Sequence, residues 1–203
     1  MKKVLNLYAG IGGNRKLWKD VDVTAVELNP KIAAIYQDFF PQDKVVVGDA
    51  HAYLLEHYKE YDFIWSSPPC PSHSRSRFWG MNRGYKPIYP DMQLYEEILL
   101  LKHYFNGKYC VENVISFYKP LVDSQKVGRH YFWSNFIINQ IKLPKLSDII
   151  NSLTELEKRY GFKIRNYDID GDKRVFLRNC VEPELGLHIF KEAFREQNKI
   201  LKI

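Results

Sequence analysis

Short apolar runs alternate with longer amphipathic stretches along the first part of the chain. Lys3 to Tyr8 is an apolar run ending at Gly10, and Asn14 is placed to cap a helix through Asp20, so the first unit reads strand, glycine turn, helix. Val23 to Val26 reads as a second strand, and Asn29-Pro30 supplies an N-cap and a first-turn proline for a helix over Lys31 to Phe39. Val45 to Val47 is a third strand, followed by a helix from about His51; Phe63 to Trp65 and Tyr109 to Val111 are the fourth and fifth. Between the last two, the spacing of Leu94, Ile98, Leu101 and Tyr104 marks another helix. This alternation predicts an α/β fold built on a doubly wound, mainly parallel sheet.

Composition narrows the setting. The 203 residues suffice for one domain with a real core. No run of about 18 apolar residues exists that could span a bilayer, so no membrane association is expected. Two lysines precede the first apolar run, but glycines interrupt it early; a signal peptide is not expected, and the chain reads as cytoplasmic. Cys70, Cys110 and Cys180 are odd in number and widely spaced with no CxxC pair, which argues against a disulfide framework and against a structural zinc site, so no metal is expected. The net charge of +6 suits a polyanionic partner, although ordinary proteins also carry such an excess.

In doubly wound sheets ligands bind beyond the carboxyl ends of the strands. Those positions here read Ala9-Gly10-Ile11-Gly12-Gly13, then Glu27, Gly48-Asp49, Pro68-Pro69-Cys70 and Glu112-Asn113. Gly10, Gly12 and Gly13 let backbone approach a ligand, and a helix from Asn14 would offer its positive end. Glu27, ending the second strand, is placed to accept hydrogen bonds from both ribose hydroxyls of an adenosine-containing cofactor, and Asp49 adds an acceptor for an adenine amino group.

The segment Asn6-Leu7-Tyr8-Ala9-Gly10-Ile11-Gly12-Gly13 resembles the first motif of the DNA cytosine-5 methyltransferase family, with Tyr8 where the family commonly has Phe. Glu27-Leu28-Asn29-Pro30 is similar to its ribose-binding segment, and Gly48-Asp49-Ala50 to its adenine-binding one. The resemblance implies a Rossmann-like methyltransferase fold with S-adenosylmethionine as cofactor, and Leu28 and Ala50 packed on the adenine. Pro69, preceding the cysteine, joins the implied cofactor set with Tyr8, Ala9 and Asn179. Asn179 lies in Arg178-Asn179-Cys180-Val181-Glu182-Pro183, similar to the family's last motif, which returns to the cofactor pocket; the helix from Pro183 would pack beside the first one. Arg178 stands where the family has glycine, which could place a positive charge near the cofactor's methionine end and suit a charged derivative.

Carbon 5 of cytosine is a poor nucleophile, and methylating it requires prior addition of a thiolate at carbon 6. Pro68-Pro69-Cys70 resembles the family's nucleophile motif, and its prolines stiffen the turn that presents the thiol. Glu112 in Val111-Glu112-Asn113-Val114 resembles the acid that protonates or shares a proton with cytosine N3, a role that burial in a dry pocket favours; Asn113 would hold the turn. Arg129 matches an arginine that contacts the cytosine carbonyl, although the family's Gln-x-Arg-x-Arg spacing is not kept after Gln125, and a phosphate contact or surface role stays open.

After Cys70, the stretch to Pro90 has no helical period and carries Ser72, His73, Arg75, Arg77, Arg83 and Lys86, which are expected to meet phosphates, while Phe78 or Trp79 could fill the space of an extruded base. Pro71-Ser72-His73-Ser74 departs from the family's usual Gln-Pro-Phe-Ser. The implied partner is DNA, double-stranded with the target cytosine flipped out, because carbon 5 cannot be reached in stacked duplex. The expected organisation is a catalytic domain over residues 1–136 and 176–203, with a short insertion at 137–175, including a helix over Ser147 to Tyr160, as a reduced target-recognition element. Four readings compete with DNA methylation: the same chemistry on RNA or a free cytosine nucleotide, transfer of a larger charged group, a catalytically silent binding module, and a small-molecule methyltransferase on the same sheet.

Overall fold

Continuous burial on both faces is what a central parallel strand requires. Val4, Leu5 and Leu7 of β1 (Lys2–Leu7) and Phe63, Ile64 and Trp65 of β4 (Phe63–Ser66) meet it without exposure. The computed structural model describes residues 1–78, 88–143 and 152–195. Among them, β2 (Val21–Glu27), β3 (Lys44–Val47), β5 (Lys108–Val114), β6 (Gln125–Val127) and β7 (His130–Ser134) complete one sheet in the order β3-β2-β1-β4-β5-β7-β6. The first five strands are parallel, as the alternation predicts. From β1 the chain runs outward through β2 and β3, then returns to place β4 on the other side of β1. The loops after β1 and β4 therefore diverge from adjacent strands, which opens a crevice at that point.

The hairpin β6–β7, antiparallel to β5, is absent from the sequence reading. Its strands are short, and Gly128 (φ +57°) makes the reversal between them. The helices α1 (Pro30–Phe39), α2 (Ala50–His57) and α3 (Gln93–Tyr104) fall where the patterns put them. Asn29 caps α1, its side chain accepting from Lys31 N and Ile32 N.

The helix expected from Asn14 to Asp20 does not form; turns replace it. Instead of capping, the Asn14 side chain donates to Asn6 Oδ1 at 2.7 Å. Gly186 of α6 (Pro183–Ala193) presses so closely that a Cβ there would lie 2.3 Å from the Asn14 carbonyl oxygen. Trp18 Nε1 donates to the Gly186 carbonyl, and its ring stacks on Phe190. Helix α6 therefore packs not beside a first helix, as expected, but against the turns that replace it, and tertiary contact overrides the local cap signal.

Helix α4 (Leu153–Tyr160) begins at a cap on Ser152, later than the expected Ser147, and residues 144–151 lie outside the described residues. A further short helix, α5 (Lys173–Asn179), follows. Leu156, Tyr160, Phe162, Ile164, Ile169 and Leu177 share one apolar cluster with Ile32 and Ile35 of α1, so this stretch is fastened to the sheet layer. Arg159 of α4 pairs with Glu182 at 2.6 Å just ahead of α6, with both side chains largely buried.

The glycine loop depends on its smallness at one point above others. A Cβ on Gly12, where φ is +85°, would sit 2.3 Å from the Phe40 ring and 2.9 Å from that of Tyr36. Gly12→Ala is expected to destabilise the fold by roughly 1–3 kcal/mol through overpacking, with added strain from the left-handed backbone. A lower urea midpoint at unchanged slope checks this; an unchanged midpoint would show that α1 yields freely.

Candidate active site

The carboxyl ends of β1, β2 and β3 form one half of the crevice. Gly10 (φ +53°) and Gly48 have nothing within 4 Å of where a Cβ would stand, so both leave room for a ligand. Gly12 and Gly13 do not: the close approach at Gly12 is to Phe40 and Tyr36, and at Gly13 to the Val181 carbonyl and Cys180. Their absence of side chain serves protein packing, and the positive helix end expected beyond them is missing with the helix.

Glu27 ends β2 with Oε2 accepting from Gly10 N and Oε1 from Asn29 N, both at 2.9 Å. Each carboxylate oxygen keeps a lone pair, so the acid is oriented by the loops and still able to receive two ribose hydroxyls. Asp49 caps α2 through Oδ1 to Ala52 N at 2.9 Å, which leaves Oδ2 for an amino group. Leu28 is 70% exposed and offers an apolar face to an adenine, whereas Ala50 is buried with Val26 and Leu54 and turns its methyl into the core. Ala9 is likewise buried, against Ala25 and Tyr36. The donor set and the open glycines fit an adenosine-containing cofactor; Leu28 supplies the apolar contact that Ala50 was expected to share.

The other half of the crevice carries the reactive groups. Cys70 is partly exposed beyond β4, after a buried Pro68 and an exposed Pro69. The Cys70 carbonyl accepts from His73 N and Ser74 N, which closes a turn directly behind the thiol. Glu112 of β5 is buried, and its carboxylate acts on the Cys70 thiol. Burial first, and the Glu112 charge second, hold that thiol above its ordinary range, with a backbone hydrogen bond opposing them. Asn113 Nδ2 donates to the Pro68 carbonyl at 2.9 Å, so the residue after the acid ties β5 to the turn bearing the cysteine. Arg129 is exposed at the tip of the β6–β7 turn on this same edge, and its charge reaches the Tyr160 hydroxyl. Asn179 is exposed at the end of α5, one residue before the Cys180 that touches Gly13. The Arg178 charge reaches Asp172, a carboxyl held at about 2 chiefly by its bonds to Arg174.

Two residues expected to meet phosphates are instead structural. Ser72 is buried and its Oγ accepts from Asp91 N; His73 is buried with Nδ1 2.5 Å from the Tyr118 hydroxyl. A bridge from Ser74 to Ser116 folds the turn back on the segment after β5, which is why both side chains point inward. Arg75 is exposed, in the 3-10 turn Arg75–Phe78. That turn also contains Arg77, and Phe78 lies edge-on to Phe117. Trp79, Arg83 and Lys86 lie outside the described residues.

A buried network beneath the crevice was missed. Glu97 of α3 is fully buried and accepts from the Tyr8 hydroxyl and from Ser66 Oγ, each at 2.6 Å, while His51 Nδ1 lies 3.2 Å away. The Tyr8 hydroxyl, which the family's usual Phe lacks, thus holds the strand end, and burial followed by Glu97 raises its pKa far above the ordinary range. The bond to Glu97 likewise raises His51. The signal was there: Glu97 occupies an apolar phase of α3, between Leu94 and Ile98.

The sequence model of the C-5 cytosine-specific DNA methylase family matches residues 2–119, which hold both halves of the crevice except Arg129 and Asn179. No curated protein matches. Among solved structures, a triple variant of DNMT2 from Spodoptera frugiperda is 19% identical over 86% of this chain and 62% of its own, with a TM-score of 0.48. The methyltransferase EhMeth of Entamoeba histolytica is 17% identical over 56% of this chain and 38% of its own (TM-score 0.37). A conserved hypothetical protein of Streptococcus pyogenes is 14% identical over 66% and 84% (TM-score 0.44). The chain spans less than two thirds of the first two.

The raised thiol has a measurable sign. A thiol held above its ordinary range is neutral near pH 7.5 and ionises only as pH rises past that range. Alkylation of Cys70 by iodoacetamide, followed by peptide mass analysis, is expected to be slower than that of free cysteine at pH 7.5 and to keep increasing at pH values where free cysteine has levelled off. Glu112→Gln removes a repelling charge and is expected to accelerate alkylation at pH 7.5; equal rates in both proteins would mean the two groups do not interact.

Proposed function

The chain belongs to the C-5 cytosine-specific DNA methylase family, and on that premise we propose that it methylates carbon 5 of cytosine in DNA through a covalent adduct between Cys70 and carbon 6. The family's chemistry is S-adenosylmethionine-dependent methyl transfer to cytosine, so S-adenosylmethionine is the cofactor. When bound, it supplies the electrophilic methyl group. Glu27 would hold its ribose, Asp49 its adenine amino group and Leu28 the adenine face, with Gly10 giving backbone access; Tyr8, Pro69 and Asn179 complete the proposed lining.

The observation that carries the proposal is the placement of Cys70 just beyond β4 and of Glu112 on the neighbouring β5, with the turn bearing the cysteine tied to β5 by the Asn113 bond to the Pro68 carbonyl. In the proposed reaction Cys70 attacks carbon 6 while Glu112 lends a proton to N3, which draws electron density toward the ring nitrogen and makes carbon 6 electrophilic. Asn113 keeps the nucleophile turn at a fixed distance from the acid. Arg129, on the exposed rim, would receive the cytosine carbonyl, and Arg75 a backbone phosphate. Reaching carbon 5 requires the base to leave the stack. Residues 1–136 and 176–203 form the proposed catalytic domain. The intervening 137–175 is small for a base-reading element, which predicts short or relaxed sequence preference.

Transfer of tritiated methyl from S-adenosylmethionine to cytosine-containing duplex DNA tests this reading. Cys70→Ala is expected to lower transfer by at least about 10³-fold. Glu27→Gln is expected to weaken cofactor binding roughly tenfold, the equivalent of about 1.4 kcal/mol, in calorimetric titration. Normal transfer by Cys70→Ala would remove the covalent mechanism, and label entering RNA or free nucleotide but never duplex DNA would move the substrate.

A further inference from the structure

One ionisable group at the crevice has no part in the reaction as described. His130 opens β7 opposite Val114, while Phe132 stands opposite Glu112, so His130 and Glu112 lie diagonally on the same face of two paired strands. His130 Nε2 is 3.6 Å from Glu112 Oε1, and the two side chains are only 14% and 10% exposed. The other ring nitrogen, Nδ1, is buried and meets no hydrogen-bond partner among the described residues. An unpaired buried nitrogen is costly, and a ring kept for packing alone would gain by being apolar, as Phe132 two residues on is. Around the pair stand Cys70 on the nucleophile turn, Cys110 deeper on β5, both under the influence of the Glu112 charge, and Arg129 beside His130 on the hairpin.

We propose that His130 is a positioning residue for cytosine methylation: its imidazole, lodged against the Glu112 carboxylate, passes Glu112 the proton that ends on the pyrimidine N3. The inference rests on the proposed function. Nucleophilic addition at carbon 6 leaves negative charge on the ring, and a carboxylate alone has no proton to lend. In the step, the Cys70 S–H bond breaks and the bond from sulfur to carbon 6 forms, while the carbon 5–carbon 6 π pair shifts into the ring. An N3–H bond forms at the expense of a Glu112 O–H bond, and Glu112 is reprotonated from His130 Nε2. The proton that left sulfur restores the imidazole, so no outside acid is consumed; an unmethylated adduct collapses by the reverse path, whereas after methyl transfer the carbon 5 proton leaves to water as the bond from sulfur to carbon 6 breaks and N3 returns its proton through Glu112. Contacts of this kind commonly shorten when substrate is bound. Because both partners sit on strands, the pair is held independently of the nucleophile turn.

The test compares wild type with His130→Ala and His130→Gln, in methyl transfer and in release of tritium from carbon 5 of labelled cytosine in DNA without cofactor. The second readout follows adduct formation itself, because carbon 5 of the adduct exchanges its hydrogen. Both variants are expected to lose about 10²-fold in both rates, with KM for S-adenosylmethionine and DNA unchanged. Added imidazole is expected to restore the Ala variant in proportion to its protonated fraction, and not the Gln variant, whose side chain fills the space. Unchanged rates, or a loss that imidazole leaves untouched, overturn the role of His130. Should the Ala variant fail to fold, the Gln variant decides alone: a full rate at an unchanged melting temperature refutes the relay. A wild type inactive in both assays refutes the cytosine reading and this role with it.

Discussion

The Asn113 side-chain amide, donating to the Pro68 carbonyl in the buried floor of the crevice, is the bond on which the rest of the site depends. Strands β4 and β5 are paired as far as Ser66 against Val111, where β4 ends while β5 runs on to Val114. From there the two could diverge, since Pro68 and Pro69 have no amide hydrogen to offer a neighbouring strand. The Asn113 bond, together with the return of Cys70's carbonyl onto His73 N and Ser74 N, replaces the missing ladder. The thiol is therefore positioned relative to Glu112 by groups that are themselves buried, and a buried hydrogen bond in low dielectric is both strong and costly to break.

Glu97 performs a comparable task for the cofactor half. Its two oxygens take hydroxyls from the ends of β1 and β4 and face His51 at the start of α2. The strand order reverses between β1 and β4, so a single buried acid spans the point from which the two loops part. Each loop departs from a strand end that is chemically fixed, and Glu27 then fixes the first loop again through Gly10 N.

The parallel core and its three predicted helices were legible because their signals are local: apolar runs, Asn29-Pro30, and the spacing of Leu94, Ile98 and Leu101. The residues at the strand ends were legible for the same reason, since a parallel sheet brings all carboxyl ends to one edge. What failed was decided at a distance. Asn14 carries a fair cap signal, but Gly186, 172 positions later, takes the space in which its helix would grow. Ser72 and His73 look like loop polar groups until the bridge between Ser74 and Ser116 turns them inward. Gly12 and Gly13 read like a ligand cradle, yet the contacts that demand glycine there come from α1 and from Cys180 and Val181. The β6–β7 hairpin is three and five residues long, too short for its pattern to stand out.

The electrostatics of the crevice oppose resting reactivity. Burial and the Glu112 charge both favour a protonated thiol, so a lone Cys70 is guarded against adventitious alkylation or oxidation. In the proposed reaction a pyrimidine protonated at N3 would spread the charge of the attacking sulfur into its own ring, so the bound base would offset the penalty that keeps the thiol neutral. In that proposal, exposed Arg75 and Arg129 would assist a polyanion's approach. Nucleophile activation and substrate arrival would then be one event, which a buried acid beside a partly exposed thiol allows and an exposed cysteine flanked by arginines would not.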